Sequence, residues 1–255
     1  MVIFKYDKSF EGLLTCVFDA YFRRSFPDKL MYVDDVLPLF YDEAYTVITD
    51  DEKSKRVWKS LENKISQSAL TCITSCWLAD TYQNIDELIF RYIHKAVDAP
   101  MSIEVDFGDA DVLAMSKVYK QVRYERLRVM QFVRFQKAYD GTYFAAFEPL
   151  YNVLALVVPH FRDRFADQKW LIYDVKRDFG YYYDLSDVRE FTFNEENGTF
   201  KSYVLSDKLI DDDEKLFQSL WKTYFKAIAI KERLNPRKHR QDMPVRYWKY
   251  LTEKQ

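Results

Sequence analysis

Arginine, histidine and aromatic residues gather in one stretch of this 255-residue sequence in a mixture suited to phosphate and base contacts. In NPRKHRQDMPVRYWKYLTEKQ, from Asn235 onward, Arg237, Lys238, His239 and Arg240 are adjacent, and Arg246, Tyr247, Trp248 and Tyr250 follow closely. Between Lys231 and Lys254, eight basic residues face three acids, so this segment is +5 and the rest of the chain −7. Arginine makes bidentate phosphate contacts and aromatic faces accept stacked bases, which gives the segment the chemistry of a nucleic-acid surface. The alternative is a basic segment packed on an acidic body, docked by Met243, Trp248 and Leu251.

A second cluster is Pro159-His160-Phe161-Arg162-Asp163-Arg164-Phe165. On a helix His160 and Arg164 share one face, while Phe161 and Phe165 share the adjacent one. Pro159 either interrupts that helix or starts a new one. A His/Arg face can hold a phosphate, and a histidine there can act as general acid or base; a histidine hydrogen-bonded inside a fold junction is the plainer reading. With Arg134, the two clusters give the candidate nucleic-acid contacts Arg134, His160, Arg162, Arg164, Arg237, His239, Arg240, Arg246, Tyr247 and Trp248. His160 and His239 are the candidates for catalysis.

Other chemistries find little support. Five isolated glycines (Gly12, Gly108, Gly141, Gly180, Gly198) build no GxGxxG or GxxxxGK[ST] phosphate loop, and GxSxG is absent. Cys72 and Cys76 have CxxxC spacing, but Ala79 stands where a radical-SAM cluster needs a third cysteine, so buried thiols are the expectation. Asp106, Asp109 and Asp111, and the run from Asp211 to Glu214, read as helix starts rather than metal sites. A nuclease-like pairing of Asp28 with Glu62 and Lys64 is disfavoured because Glu62 and Lys64 fall in a helical pattern. No metal and no cofactor are expected.

The elements that must position these residues follow from periodicity. Val2–Tyr6 reads as a strand, and Ser9 caps a helix whose apolar positions run Phe10, Leu13, Leu14, Val17, Phe18, Tyr21 and Phe22. Residues 44–49 read as a strand before a helix opened by Asp50 and Asp51. Two further helices carry Ala69, Leu70, Ile73, Cys76 and Trp77, then Ile85 to Ala96, the latter capped by Asn84. Another covers 110–124. Residues 127–137 and 142–147 flank an Asp140-Gly141 turn and read as a hairpin. A helix over 150–165 and three antiparallel strands near 170–175, 180–184 and 189–193 follow. The strongest helical pattern is 211–230, with Leu216, Phe217, Leu220, Trp221, Tyr224, Phe225 and Ile228 as its seam and Lys231 and Arg233 closing it. The expectation is a single α+β domain over 1–255, possibly as two lobes: helices over about 1–125, then an antiparallel sheet with a long C-terminal helix over about 126–255. No signal peptide or membrane span is visible and the cysteine count is odd, which favours a cytoplasmic protein without membrane partners.

Read in order, these segments resemble the bacterial "probable DNA metabolism protein" family. The resemblance rests on Gln131-Phe-Val-Arg134-Phe135, Phe147-Glu-Pro149-Leu-Tyr-Asn152, Pro159-His160 through Phe165, Trp170 to Asp174, Leu220 to Phe225, and Asn235 through Trp248. Leu127 stands where many relatives carry histidine. The family is defined largely as a domain of unknown function; its genes neighbour those of a radical-SAM protein of DNA modification or repair, and a similar domain is fused to uracil-DNA-glycosylase-like domains. The resemblance therefore implies an accessory DNA-binding protein with a radical-SAM partner. Two alternatives stand beside it: a module that binds that partner without DNA, and an enzyme on damaged DNA bases or ends that uses His160 or His239.

Overall fold

The computed structural model describes residues 1–192, 210–227 and 235–254. The fold is α+β, and the chain divides into two compact units, Met1–Arg123 and Tyr124–Gln255.

In the first unit a central strand β1 (Val2–Tyr6) pairs in parallel with β2 (Lys29–Tyr32) on one side and β3 (Glu43–Thr46) on the other. Helix α1 (Phe10–Arg23) makes the β1-to-β2 crossover, and Ser9 caps it by accepting from the Gly12 amide. Leu13, Leu14 and Val17 are buried along α1, as its spacing requires. Helix α2 (Asp51–Lys64) is capped by Asp50, which accepts from the amides of Glu52 and Lys53. Helices α3 (Gln67–Trp77) and α4 (Ile85–Asp98) complete the layer. Asn84 precedes α4, but its left-handed backbone (φ 55°) carries no side-chain cap, correcting the expectation that it caps this helix. Strand β2 is absent from the sequence reading; its four residues, Lys-Leu-Met-Tyr, show no strong alternation.

Helix α5 (Ala110–Phe132) runs further than the sequence suggests. Residues 127–132 continue the helix instead of forming a strand, because Val122, Val129 and Phe132 stay on the buried side at helical spacing. The sheet of the second unit is β4 (Gln136–Lys137), β5 (Tyr143–Phe147), β6 (Trp170–Asp174), β7 (Phe179–Tyr183) and β8 (Val188–Phe191), in that order. The hairpin at Asp140-Gly141 forms, with Gly141 at φ 82°, a conformation that glycine adopts without a Cβ clash. Between β5 and β6 lies α6 (Leu154–Arg164), and a strand–helix–strand crossover delivers the second strand parallel to the first. The sheet is therefore mixed, not wholly antiparallel as expected. Pro159 sits inside α6 without ending it.

Helix α7 (Asp212–Ala227) precedes α8 (Pro236–Asp242), and 3-10 turns at Val245–Tyr250 and Thr252–Lys254 follow. Ile228, Lys231, Arg233 and Phe193, which the sequence reading assigned to element ends, lie outside the described residues. Among the described residues no helix is long and apolar enough to cross a membrane.

Candidate nucleic-acid interface

Every residue nominated for binding lies in the second unit. Its residues, 124–255, carry 23 Lys and Arg against 20 Asp and Glu, whereas residues 1–123 carry 15 against 20.

Of three carboxylates, Glu125 and Glu253 divide the nominated cations into two sets, and Glu148 ties down residues beside them. Glu125 comes from α5 at a position that helical spacing assigns to the core, and its side chain is 1% exposed. It accepts the Tyr247 hydroxyl at 2.6 Å, the Leu150 amide at 2.6 Å and the Arg246 guanidinium. Burial, then the bond to Glu125, push the Tyr247 phenol well above its ordinary pKa. The ring of Tyr247 stacks on Phe147 at 4.9 Å and is fully buried. Arg246 and Tyr247, expected to contact phosphate and base, bond Glu125 of α5, and the Tyr247 ring also packs on β5; a ring with no exposed face has none to offer a base.

The second carboxylate, Glu148 at the end of β5, accepts from Lys249 at 2.6 Å and Tyr250 at 3.1 Å. The Lys249 bond holds its carboxyl below the ordinary glutamate value. The third, Glu253, accepts from Arg134 at 2.8 Å and from the Trp221 indole N–H at 3.0 Å. Burial pushes the Glu253 carboxyl up, but hydrogen bonds from Arg134, its own backbone and Trp221 outweigh it and leave the carboxyl below its usual range. Trp248 is half-buried, its indole N–H donating to the Met243 carbonyl at 3.0 Å, and Leu251 is fully buried. Trp248 and Leu251 dock as the alternative drawn from the sequence expects, and Arg134, Arg246 and Tyr247 are engaged by Glu253 and Glu125.

The remaining cations face solvent. Arg237 and Arg240 lie one turn apart on α8, both exposed, with no carboxylate in ion-pair reach among the described residues. Asn235 caps this helix through the Lys238 amide, and Lys238 pairs with Asp242 at 2.9 Å. At the end of α6, Arg162 is exposed beside Asp163 at 3.4 Å, and Arg164 is exposed with its guanidinium over the Phe165 ring.

The two candidate histidines have different surroundings. His239 turns inward against Trp248, and its Nε2 is buried without a partner. Burial and then the Lys254 ammonium lower its pKa below the ordinary imidazole value. His160 is half-buried with its ring edge toward Phe161. No hydrogen bond, ion pair or ring contact among the described residues links the His160–Arg164 stretch to the His239–Arg240 stretch. Cys72 and Cys76 place their sulfurs 4.0 Å apart, with Cys76 buried, and no group of three metal-binding side chains stands together among the described residues.

Sequence reasoning missed the carboxylates and one surface. The seam of α7, expected in the core, is open to solvent: Phe217 is 63% exposed, Leu220 54%, Trp221 41% and Tyr224 54%. With Arg134 and Phe135 these residues line a groove of about 780 Å³. The readable signal for the carboxylates was Glu125, an acid inside an apolar helical stripe.

An α+β protein whose second unit ties down its own basic segment through buried carboxylates is the class that this fold and surface define. The chain belongs to the family described as a domain of unknown function, DUF4130, which matches residues 83–253. No curated protein matches it. Among solved structures it resembles the pGpG-specific phosphodiesterase PggH of Vibrio cholerae at 10% identity and a TM-score of 0.37, over 89% of this chain and 99% of that one. A likeness this remote carries no argument about activity.

Proposed function

We propose that the chain is an accessory nucleic-acid-binding protein of cytoplasmic DNA metabolism, acting beside a radical-SAM partner and not as a free-standing catalyst. The observation that carries this reading is the pair Arg237 and Arg240: exposed, one turn apart and without a carboxylate in ion-pair reach among the described residues, in the unit with the positive charge balance. Arg162 and Arg164 add exposed cations on α6. The partner rests on the family resemblance. Reading His160 or His239 as general acid/base ranks behind it, because His239 turns inward against Trp248 and His160 is half-buried against Phe161.

The test is fluorescence-anisotropy binding of labelled single- and double-stranded DNA over a salt series. Affinity should fall steeply with salt, because phosphate contacts release counterions. Absence of binding at low salt rejects this reading. A second reading, a module that binds the partner protein without DNA, is favoured by the exposed apolar side of α7; co-purification of the two proteins without DNA would support it.

A further inference from the structure

We propose that the groove along α7 seats one unstacked nucleobase of a single strand, an inference that rests on the nucleic-acid reading and assigns it a specific pocket. The walls are aromatic and partly bare: Phe217, Trp221 and Tyr224 all present ring surface to solvent. Solvent-facing rings of this kind form a stacking platform for bases, which all have a π-face.

Two features distinguish this surface from a plain apolar patch. First, the stacking ring is held in place. The two oxygens of Glu253 divide between the Trp221 indole N–H (3.0 Å) and the Arg134 guanidinium (2.8 Å), so one buried carboxylate fixes both. Trp221 and Tyr224 sit 5.8 Å apart with their planes tilted 33°. Second, the groove holds unused hydrogen-bonding capacity. The Gln218 amide donates to Glu214 at 3.0 Å, leaving its carbonyl and second N–H for a base edge, and Thr252 borders the same space. An aliphatic side chain of a protein partner would leave the Gln218 amide unanswered, whereas the edge of a base answers it. At about 780 Å³ the groove lies within the usual range of ligand sites. The positive balance of residues 124–255 suits the phosphodiester chain that carries the base.

The experiment compares an oligothymidylate with an abasic oligomer of equal length and equal phosphate count. The wild-type chain should bind the base-bearing strand roughly ten-fold more tightly, the scale of a single base stacked on an aromatic ring. Trp221→Ala and Tyr224→Ala should each collapse that preference and leave abasic binding unchanged, with melting curves to check that each variant stays folded. Arg237→Ala/Arg240→Ala should weaken both strands alike, which separates the groove from the cation face. Equal wild-type affinity for the two strands, or a preference that survives both aromatic variants, overturns the proposal. If neither strand binds, the nucleic-acid reading fails and free thymidine monophosphate judges the groove. Saturable quenching that disappears in Trp221→Phe keeps the groove, and no quenching rejects it. A stable dimer that dissolves in Leu220→Lys also rejects it, in favour of a protein interface.

Discussion

The segment from Val245 to Lys254 and helix α7 exchange the roles that their compositions suggest. The first is basic and polar in sequence, yet Tyr247 and Leu251 within it are fully buried and Arg246 reaches a buried carboxylate. The second has the clearest apolar seam in the chain, yet Phe217, Leu220 and Tyr224 are more than half exposed. The difference shows that burial follows available partners as well as hydrophobicity. Glu125, Glu148 and Glu253 each offer acceptors to a cation and a ring hydroxyl or indole; the bonds to Tyr247 and Tyr250 leave those rings buried with their polar ends satisfied, while the bond to Trp221 holds a ring that stays partly exposed. The described part of α7 is tethered at Trp221 and keeps its remaining seam for other contacts.

The comparison breaks most visibly at Glu125. Glu125→Ala strips acceptors from Tyr247, Arg246 and the Leu150 amide at once. It should cost about 3 kcal/mol, toward the low end for a broken buried pair, because Arg246 is 40% exposed and can turn to water. Denaturant unfolding measures the loss, and near-UV circular dichroism should lose part of its Tyr247 signal. An unchanged midpoint would mean that the 245–250 turn is held by apolar contacts alone.

A smaller effect should appear in the pH dependence. Glu253 and Glu148 have folded-state pKa values below the ordinary glutamate value. Their stabilisation is therefore fully present above that ordinary value and is lost as pH falls through the depressed ones. Glu253→Gln should cost about 1–2 kcal/mol at neutral pH and flatten the acid side of a melting-temperature profile. A variant profile parallel to that of wild type would count against the Arg134–Glu253 pair as a source of stability.

The smallest effect on stability belongs to α7. Leu216→Lys/Leu220→Lys should shift unfolding by no more than about 0.5 kcal/mol, as exposed substitutions do. A loss of several kcal/mol would show that the seam is covered in the folded protein and would remove the contrast with the 245–254 segment.

Much of the scaffold was legible in the sequence. Ser9 and Asp50 announce their helices, the α1 stripe predicts its buried side, and Asp140-Gly141 marks its hairpin, because each signal is local. Three features escaped because their causes lie elsewhere in the chain. Strand β2 is set by its neighbour β1; the parallel β5–β6 pairing by the α6 crossover; the end of α5 by packing that overrides an ambiguous apolar run. The candidate site divides in the same way. The sequence identifies an excess of arginines near Asn235, but not which of them are used in folding. Arg246 meets its carboxylate across 121 residues and Arg134 across 119, beyond the reach of any spacing rule. Arg237 and Arg240 are recognisable as unpaired among the described residues only once those long-range pairs are placed.

The central claim is that this division leaves Arg237 and Arg240 for a polyanion. The most direct measurement is the slope of log affinity against log salt for double-stranded DNA, compared between the wild-type chain and Arg237→Ala/Arg240→Ala. Two lost phosphate contacts should reduce the slope by about 1.8 while the melting temperature stays unchanged. An unaltered slope, or a slope change accompanied by unfolding, would contradict the assignment.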